Sequence, residues 1–160
     1  MIRSATIKDA ARIAAIYNHY VESTVTTFEE EVVSDADMTA RIAIGTSSCP
    51  WLVSEIEGEI LGYAYASPWN ARSAYRKSVE TTVYVAQDHC RMGIGMGLYS
   101  SLIDSLRSQS FHCVLGVIAL PNPGSIALHE KLGFRKVGEL EELGWKLQRW
   151  VNVGFWQLPL

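Results

Sequence analysis

"CRMGIGMGLYSSL", residues Cys90 to Leu102, alternates three glycines with apolar residues between a strand-like run and a helix-like one. Glycines so placed serve one of two ends. They relieve a tight turn, or they leave backbone N–H groups bare at a helix start, where the positive end of the helix dipole holds an anion. Arg91 adds a full positive charge beside the loop. The run before it, "SVETTVYVA" (Ser78 to Ala86), is rich in β-branched residues and reads as a strand. After the loop a helix is predicted to about Ser108. "FHCVLGVIAL" (Phe111 to Leu120) is nearly all apolar, which suits a strand buried on both faces. Strand, helix and strand in this order predict a crossover between two parallel central strands.

Working outward, Thr6 to Asp9 has capping-box spacing, and Ile13, Ile16, Tyr17, Tyr20 and Val21 follow at helical intervals. A helix is expected from about Lys8 to Val21. Ser34 to Asp37 repeats the capping spacing and opens a second helix reaching about Ile44. "WLVSEI", the turn "EGE" and "ILGYAYAS" read as a hairpin from Trp51 to Ser67. Met1 to Ala5 is a first strand, Ser125 to Leu132 a short helix stopped by Gly133, and Phe134 to Gly138 and Val151 to Leu158 two closing strands. The expected fold class is α/β in mixed order: one domain over residues 1–160, with a central mixed, twisted sheet flanked by helices.

Composition narrows the function classes. With 48% apolar and 19% charged residues the chain is globular, and its net charge of −3 gives no reason to expect nucleic acid. No apolar run reaches the roughly 18 residues that a membrane span needs. Three cysteines, Cys49, Cys90 and Cys113, fit no metal-ligand spacing, and an odd count without a secretion signal is expected of reduced thiols in a cytoplasmic protein. No metal set is expected among the histidines. His19 and His112 read as structural and His89 as a loop residue.

What anion would the glycine loop hold? A Walker loop ends in Gly-Lys-Ser/Thr, whereas Gly97 precedes Leu98 and Tyr99. A Rossmann fingerprint needs an acidic residue after the next strand, and Phe111 to Leu120 contains none. A third design holds the pyrophosphate of coenzyme A. Here Cys90-Arg91-Met92-Gly93-Ile94-Gly95 resembles the Gln/Arg-x-x-Gly-x-Gly/Ala signature of the GNAT superfamily of N-acetyltransferases, with Cys90 in place of the usual first residue. Asn122, Ser125, Leu128, His129, Gly133 and Phe134 match a second GNAT pattern, Asn-x-x-Ser/Ala-x-x-Leu-Tyr-x-x-x-Gly-Phe, with His129 in the tyrosine slot. "VETTVYV", "LYSSLI", "VIALPNPGSIALHEKLGF" and "VGFWQLPL" resemble the phosphinothricin acetyltransferase branch, which acetylates small α-amino acids of the phosphinothricin and methionine sulfoximine or sulfone type.

That resemblance implies acetyl-CoA as co-substrate, a small amino acid-like partner and a homodimer. It places the coenzyme on the Val83-Tyr84-Val85 backbone, on Arg91, Met92, Gly93, Ile94, Gly95 and Met96, and on Asn122. Glu80 stands alone as a charge in its strand, a costly placement unless it is used or paired. The family puts its general base there, and the plainer alternative is a pair with Arg72 or Arg76. His129 is expected to act as general acid or proton relay, or simply to pack. For the substrate wall the expected residues are Asn70, Arg72 and Tyr75 in "PWNARSAYRK", Thr81 and Thr82 beside Glu80, and Phe28 and Glu29 in the first long loop. A covalent route through Cys90 is the minor reading. Two other functions stay open: acetylation of another amine, such as a polyamine or a protein N-terminus, and a sensor that binds acetyl-CoA without turnover.

Overall fold

In the computed structural model, which describes all 160 residues from Met1 to Leu160, one seven-stranded sheet carries four α-helices. In chain order the elements are β1 (Ile2–Ser4), α1 (Ala10–Ser23), α2 (Asp35–Gly45), β2 (Trp51–Ile56), β3 (Glu59–Pro68), β4 (Ser78–Val85), α3 (Ile94–Ser108), β5 (Cys113–Leu120), α4 (Pro123–Lys131), β6 (Arg135–Lys146) and β7 (Arg149–Pro159). The spatial order is β1-β2-β3-β4-β5-β7-β6. Every neighbouring pair is antiparallel except β4 and β5, joined by the α3 crossover.

Capping residues set where the helices begin. The Asp9 carboxylate accepts from the Thr6 N–H at 2.8 Å, one half of the box read from the sequence. Ser34 Oγ accepts from the Asp37 N–H at 3.1 Å and starts α2. The sheet then sorts side chains by parity. On one face α1 and α2 bury Ile13, Ile16, Val21, Met38 and Ile42 against Trp51, Val53, Tyr63 and Tyr84. On the other, α3 buries Leu98, Tyr99, Leu102 and Leu106 against Val79, Val114, Ile118 and Trp156. Along β4 the even-numbered Glu80, Thr82 and Tyr84 therefore face α1, and Val79 and Thr81 face α3.

One strand boundary changes. The strand expected to stop at Gly138 runs to Lys146, interrupted by register shifts at Lys136/Gly138 and Leu140/Gly144. Most of β6 is exposed and carries three glutamates, so no apolar alternation marks it. The ending "VGFWQLPL" is a core strand, since Val153, Trp156 and Leu158 are buried. A cluster of exposed apolar residues lies around the β6–β7 turn, at Leu143, Trp145, Leu147 and Trp150.

Candidate active site

The site grows from a fork in the sheet. β4 and β5 pair only at Ser78, Val79 and Glu80, opposite Cys113, Val114 and Leu115. Beyond that point the strands part, and the β4 edge from Thr82 to Val85 no longer has β5 as a ladder partner. At the end of the fork α3 begins. Gly93 sits at φ 81°, a left-handed conformation that glycine adopts without strain. The first bond of the helix runs from Gly97 N–H to Gly93 O at 3.0 Å, which leaves the N–H groups of Ile94, Gly95 and Met96 ahead of it.

A cavity of about 510 Å³ follows this edge, lined by Val83, Tyr84, Val85, Arg91, Gly93, Gly95, Met96 and Asn122 among others. It offers an open strand edge, bare helix N–H groups and the cations Arg91 and Lys131, the donor set that a pantetheine arm and a pyrophosphate require. The three glycines divide their work. Gly93 makes the turn, and Gly95 keeps the cavity floor low. Gly97 lies under Ile2 Cδ1, where a Cβ would meet it at 3.4 Å, and so belongs to core packing. Met92 is 65% exposed and Ile94 is buried against Gly62, so neither side chain lines the cavity. Asn122 lines it while its Oδ1 caps α4 through Ser125 N–H at 3.1 Å. Sequence reasoning missed Tyr20, whose hydroxyl donates to Val85 O at 2.6 Å and closes the α1 side.

A second cavity, about 220 Å³, meets the first at Thr26 and Tyr84. Glu80 lines it with Tyr17, Thr27, Phe28, Tyr65 and Thr82. The Glu80 carboxylate forms no ion pair, neither with Arg72 nor with Arg76. Burial alone pushes its carboxyl above the usual carboxylate range. Thr27 and Phe28 are held from two sides. Tyr17 OH and Thr27 Oγ1 share a hydrogen bond at 2.7 Å, and the buried Lys146 Nζ donates to Thr27 O at 2.9 Å. The Phe28 ring fills the space over Gly144, where a Cβ would lie 2.3 Å from it. Desolvation lowers the Lys146 ammonium below its ordinary range. Neither Tyr17 nor Lys146 could be found in the sequence, because one sits in a helical apolar stripe and the other in an irregular strand.

On the opposite face a buried polar chain runs below the fork. Thr81 Oγ1 and Tyr99 OH share a hydrogen bond at 2.7 Å, and Tyr99 OH meets His129 Nε2 at 2.9 Å. His129 Nδ1 donates to Ser125 O at 2.8 Å, so Nε2 of the neutral ring is the acceptor. Desolvation lowers the imidazole below its ordinary range, and the ring is 4% exposed. Thr81, Tyr99, Ser125 and His129 line a small space of about 50 Å³ at the fork.

The substrate wall expected from sequence is only partly assembled. Phe28 and Thr82 lie with Glu80. Glu29 stands just outside, its carboxylate held by both Arg41 nitrogens at 2.6 and 2.9 Å and by Tyr17 OH at 3.0 Å. Thr81 is corrected to the α3 face, because strand alternation turns it away from its neighbour Glu80. Asn70 and Arg72 line a separate cavity with Ser73 and Arg76, and Tyr75 is 42% exposed, so the basic loop does not reach Glu80 within this chain. Cys90 is exposed and free, beside Tyr20 rather than Glu80.

Comparison with known proteins agrees with this fold. Residues 2–153 match the model of the acetyltransferase (GNAT) domain. The chain is 44% identical to a phosphinothricin N-acetyltransferase of Streptomyces viridochromogenes, over 98% of this chain and 85% of that protein. It is 37% identical to an L-methionine sulfoximine/L-methionine sulfone acetyltransferase of Pseudomonas paraeruginosa, over 99% of this chain and 94% of that one. Its fold matches, at TM-score 0.97 and 37% identity, a GNAT superfamily phosphinothricin acetyltransferase from Sinorhizobium meliloti solved in complex with AcCoA; the match covers 100% of this chain and 88% of that one.

Proposed function

The chain belongs to the GNAT family of acetyltransferases and uses acetyl-CoA, and on that premise we propose that it acetylates the α-amino group of small amino acid analogues of the phosphinothricin and methionine sulfoximine type by direct transfer, with Glu80 as general base. One observation carries the reading. Glu80 is an unpaired, half-buried carboxylate lining a small cavity that adjoins, at Thr26 and Tyr84, the one shaped for a coenzyme arm.

The chemistry asks three things of the protein. An α-ammonium has no lone pair, so a base must take its proton. Glu80, with its carboxyl raised by burial, accepts that proton through a bridging water. The coenzyme supplies the thioester. The β4 edge beyond the pairing with β5 supplies backbone donors for its carbonyl oxygen and for the amides of its arm. The helix N-terminus and Arg91 hold the pyrophosphate, with Asn122 at the arm. His129 acts as a positioning residue: it fixes the Tyr99 hydroxyl, and Tyr99 with Thr81 holds β4 where the strands part. Phe28 and Thr82 wall the amine cavity. Asn70, Arg72 and Tyr75 would serve a bound carboxylate only across a subunit boundary or after loop closure.

The protein is proposed to be a cytoplasmic homodimer. The three free cysteines support the first part, and the exposed Leu143, Trp145, Leu147 and Trp150 around one turn support the second. No helix is long and apolar enough to cross a membrane. Thiol release from acetyl-CoA, with methionine sulfoximine, phosphinothricin, spermidine and a short peptide offered in turn, tests the activity. Release with the amino acid analogues, falling about 10²–10⁴-fold in Glu80→Gln while acetyl-CoA still binds, is expected. Release with spermidine or the peptide alone would overturn the substrate assignment. Bound acetyl-CoA without release on any amine would point to a sensor.

A further inference from the structure

Gly144 and Lys146 stand two residues apart at the end of the edge strand β6, so strand alternation turns both to one face. Both are buried, while Leu143 and Trp145 between and before them are exposed. The buried face meets the loop that joins α1 to α2. Lys146 Nζ donates to Thr27 O at 2.9 Å. The Phe28 ring takes the place of a Gly144 side chain, where an added Cβ would lie 2.3 Å from Cζ and 2.4 Å from Cε2. Thr27 and Phe28 line the amine cavity with Glu80, whereas Gly144 and Lys146 line neither that cavity nor the coenzyme one. The placement of Lys146 is costly. Its side chain is 2% exposed, and no carboxylate lies within ion-pair distance of the ammonium. Glu30 and Glu29 attract it only from farther off. An apolar side chain of similar volume would fill the same space at lower cost, so the fold alone gives no reason for a lysine here.

We propose that Lys146, with Gly144 beside it, is a positioning residue for the amine substrate: it holds Thr27 and Phe28 in place as the cavity wall and so sets amine affinity without touching the ligand. The assignment rests on the reading above, with Glu80 and Phe28 at the amine. A buried, charge-assisted bond to a backbone carbonyl fixes the chain at Thr27, and the space left by Gly144 fixes the ring that follows it. The other ion pair on this loop, Glu29 with Arg41, is exposed, where such pairs contribute little. A loop that leaves this place part of the time binds the amine only in the remaining fraction, and apparent affinity falls by that fraction. The coenzyme rests on the β4 edge and the start of α3, so its binding is independent of this brace.

The test is Lys146→Met, which keeps most of the side-chain volume and removes the donor and the charge. Thiol release with methionine sulfone and with phosphinothricin gives KM and kcat for the amine. Calorimetric titration gives the acetyl-CoA Kd, urea denaturation the stability, and hydrogen exchange the protection of the loop. The amine KM is expected to rise about tenfold or more, the scale of one hydrogen bond to a charged group. kcat should change by less than about twofold, as for a loss of binding alone. The acetyl-CoA Kd should stay as it is. The urea midpoint should move little, since the lost bond is set against the removal of a buried charge. The Thr26 and Glu29 amides, now bonded to Thr24 and Thr27 hydroxyls, should exchange faster. Gly144→Ala, whose methyl displaces the Phe28 ring, should raise the amine KM with Lys146 intact. An unchanged amine KM in Lys146→Met, or loop amides that exchange no faster, would overturn the positioning role and leave the acetyltransferase reading standing. KM and acetyl-CoA Kd rising together with a lower urea midpoint would make Lys146 an ordinary structural residue and overturn it too. Release with neither amino acid analogue from the wild-type protein would overturn that reading and this one with it.

Discussion

Gly116 sits in β5 beneath the His129 ring, and replacing it by alanine puts a methyl group where the ring lies. The new Cβ would stand 2.4 Å from Nε2 and 2.5 Å from Cδ2, against the roughly 3.5–4.0 Å of a relaxed contact. The ring has no slack. It is 4% exposed and wedged edge-on between Tyr99 and Phe134, with centroids 5.0 Å away on each side. A shift of about 1 Å stretches both Nε2···Tyr99 and Nδ1···Ser125, each worth about 0.5–1.5 kcal/mol net. Overpacking adds about 1–3 kcal/mol. The expected loss is therefore about 2–6 kcal/mol, a large part of the roughly 5–15 kcal/mol by which such domains are stable. Urea denaturation reads it as a lower midpoint at an unchanged slope. The companion experiment is Gly116→Ala combined with His129→Ala. Without the ring the methyl meets space, so the double variant should be at least as stable as His129→Ala alone. A Gly116→Ala protein within about 0.5 kcal/mol of the wild type, or strictly additive losses in the pair, would refute the wedge.

Glu80→Gln should stabilise the fold while it slows turnover. Burial raises the folded-state pKa of this carboxyl, so its contribution to stability is present below the unfolded value and lost as pH rises through the folded one. The gain should appear at neutral pH and vanish in acid, as read by thermal unfolding at a series of pH values; no gain at neutral pH would count against the buried, unpaired placement. Gly95→Ala should bind acetyl-CoA almost as the wild type does, because its methyl meets Val85 and Leu128 only at 3.6 and 3.7 Å. Gly95→Val, which grows into the cavity, should lose about tenfold or more by calorimetric titration, and equal binding by both would show that the loop does not hold the coenzyme. Arg3 grips Asp9 with two nitrogens at 2.9 Å and holds its carboxyl below the ordinary range. That stability is complete above the unfolded pKa of about 4 and disappears as pH falls through the lowered folded value. In Arg3→Met the acid limb of urea midpoints should flatten, and an unchanged limb would place the acid sensitivity elsewhere.

Local chemistry was enough to read the crossover. Gly93 and the free N–H groups of α3 follow from residue type and position, because turns and helix starts depend on a few neighbouring residues, whereas α4, expected from Ser125, starts at Pro123 under the Asn122 cap. Glu80 stood out for the same reason, as the one charge in its strand. What the linear pattern did not contain was which face each neighbour takes once strands pair. Thr81 and Glu80 are adjacent in the chain but lie on opposite sides of the sheet, one bound to Tyr99 and the other lining the amine cavity. The basic loop from Asn70 to Tyr75 leads straight into β4, yet it turns to another cavity. Tyr17, Tyr65 and Lys146 reach the site from α1, β3 and β6, three elements far apart in sequence. Their juxtaposition depends on strand register and on how α1, α2 and β6 pack over the sheet, and long-range packing of that kind leaves no local signature.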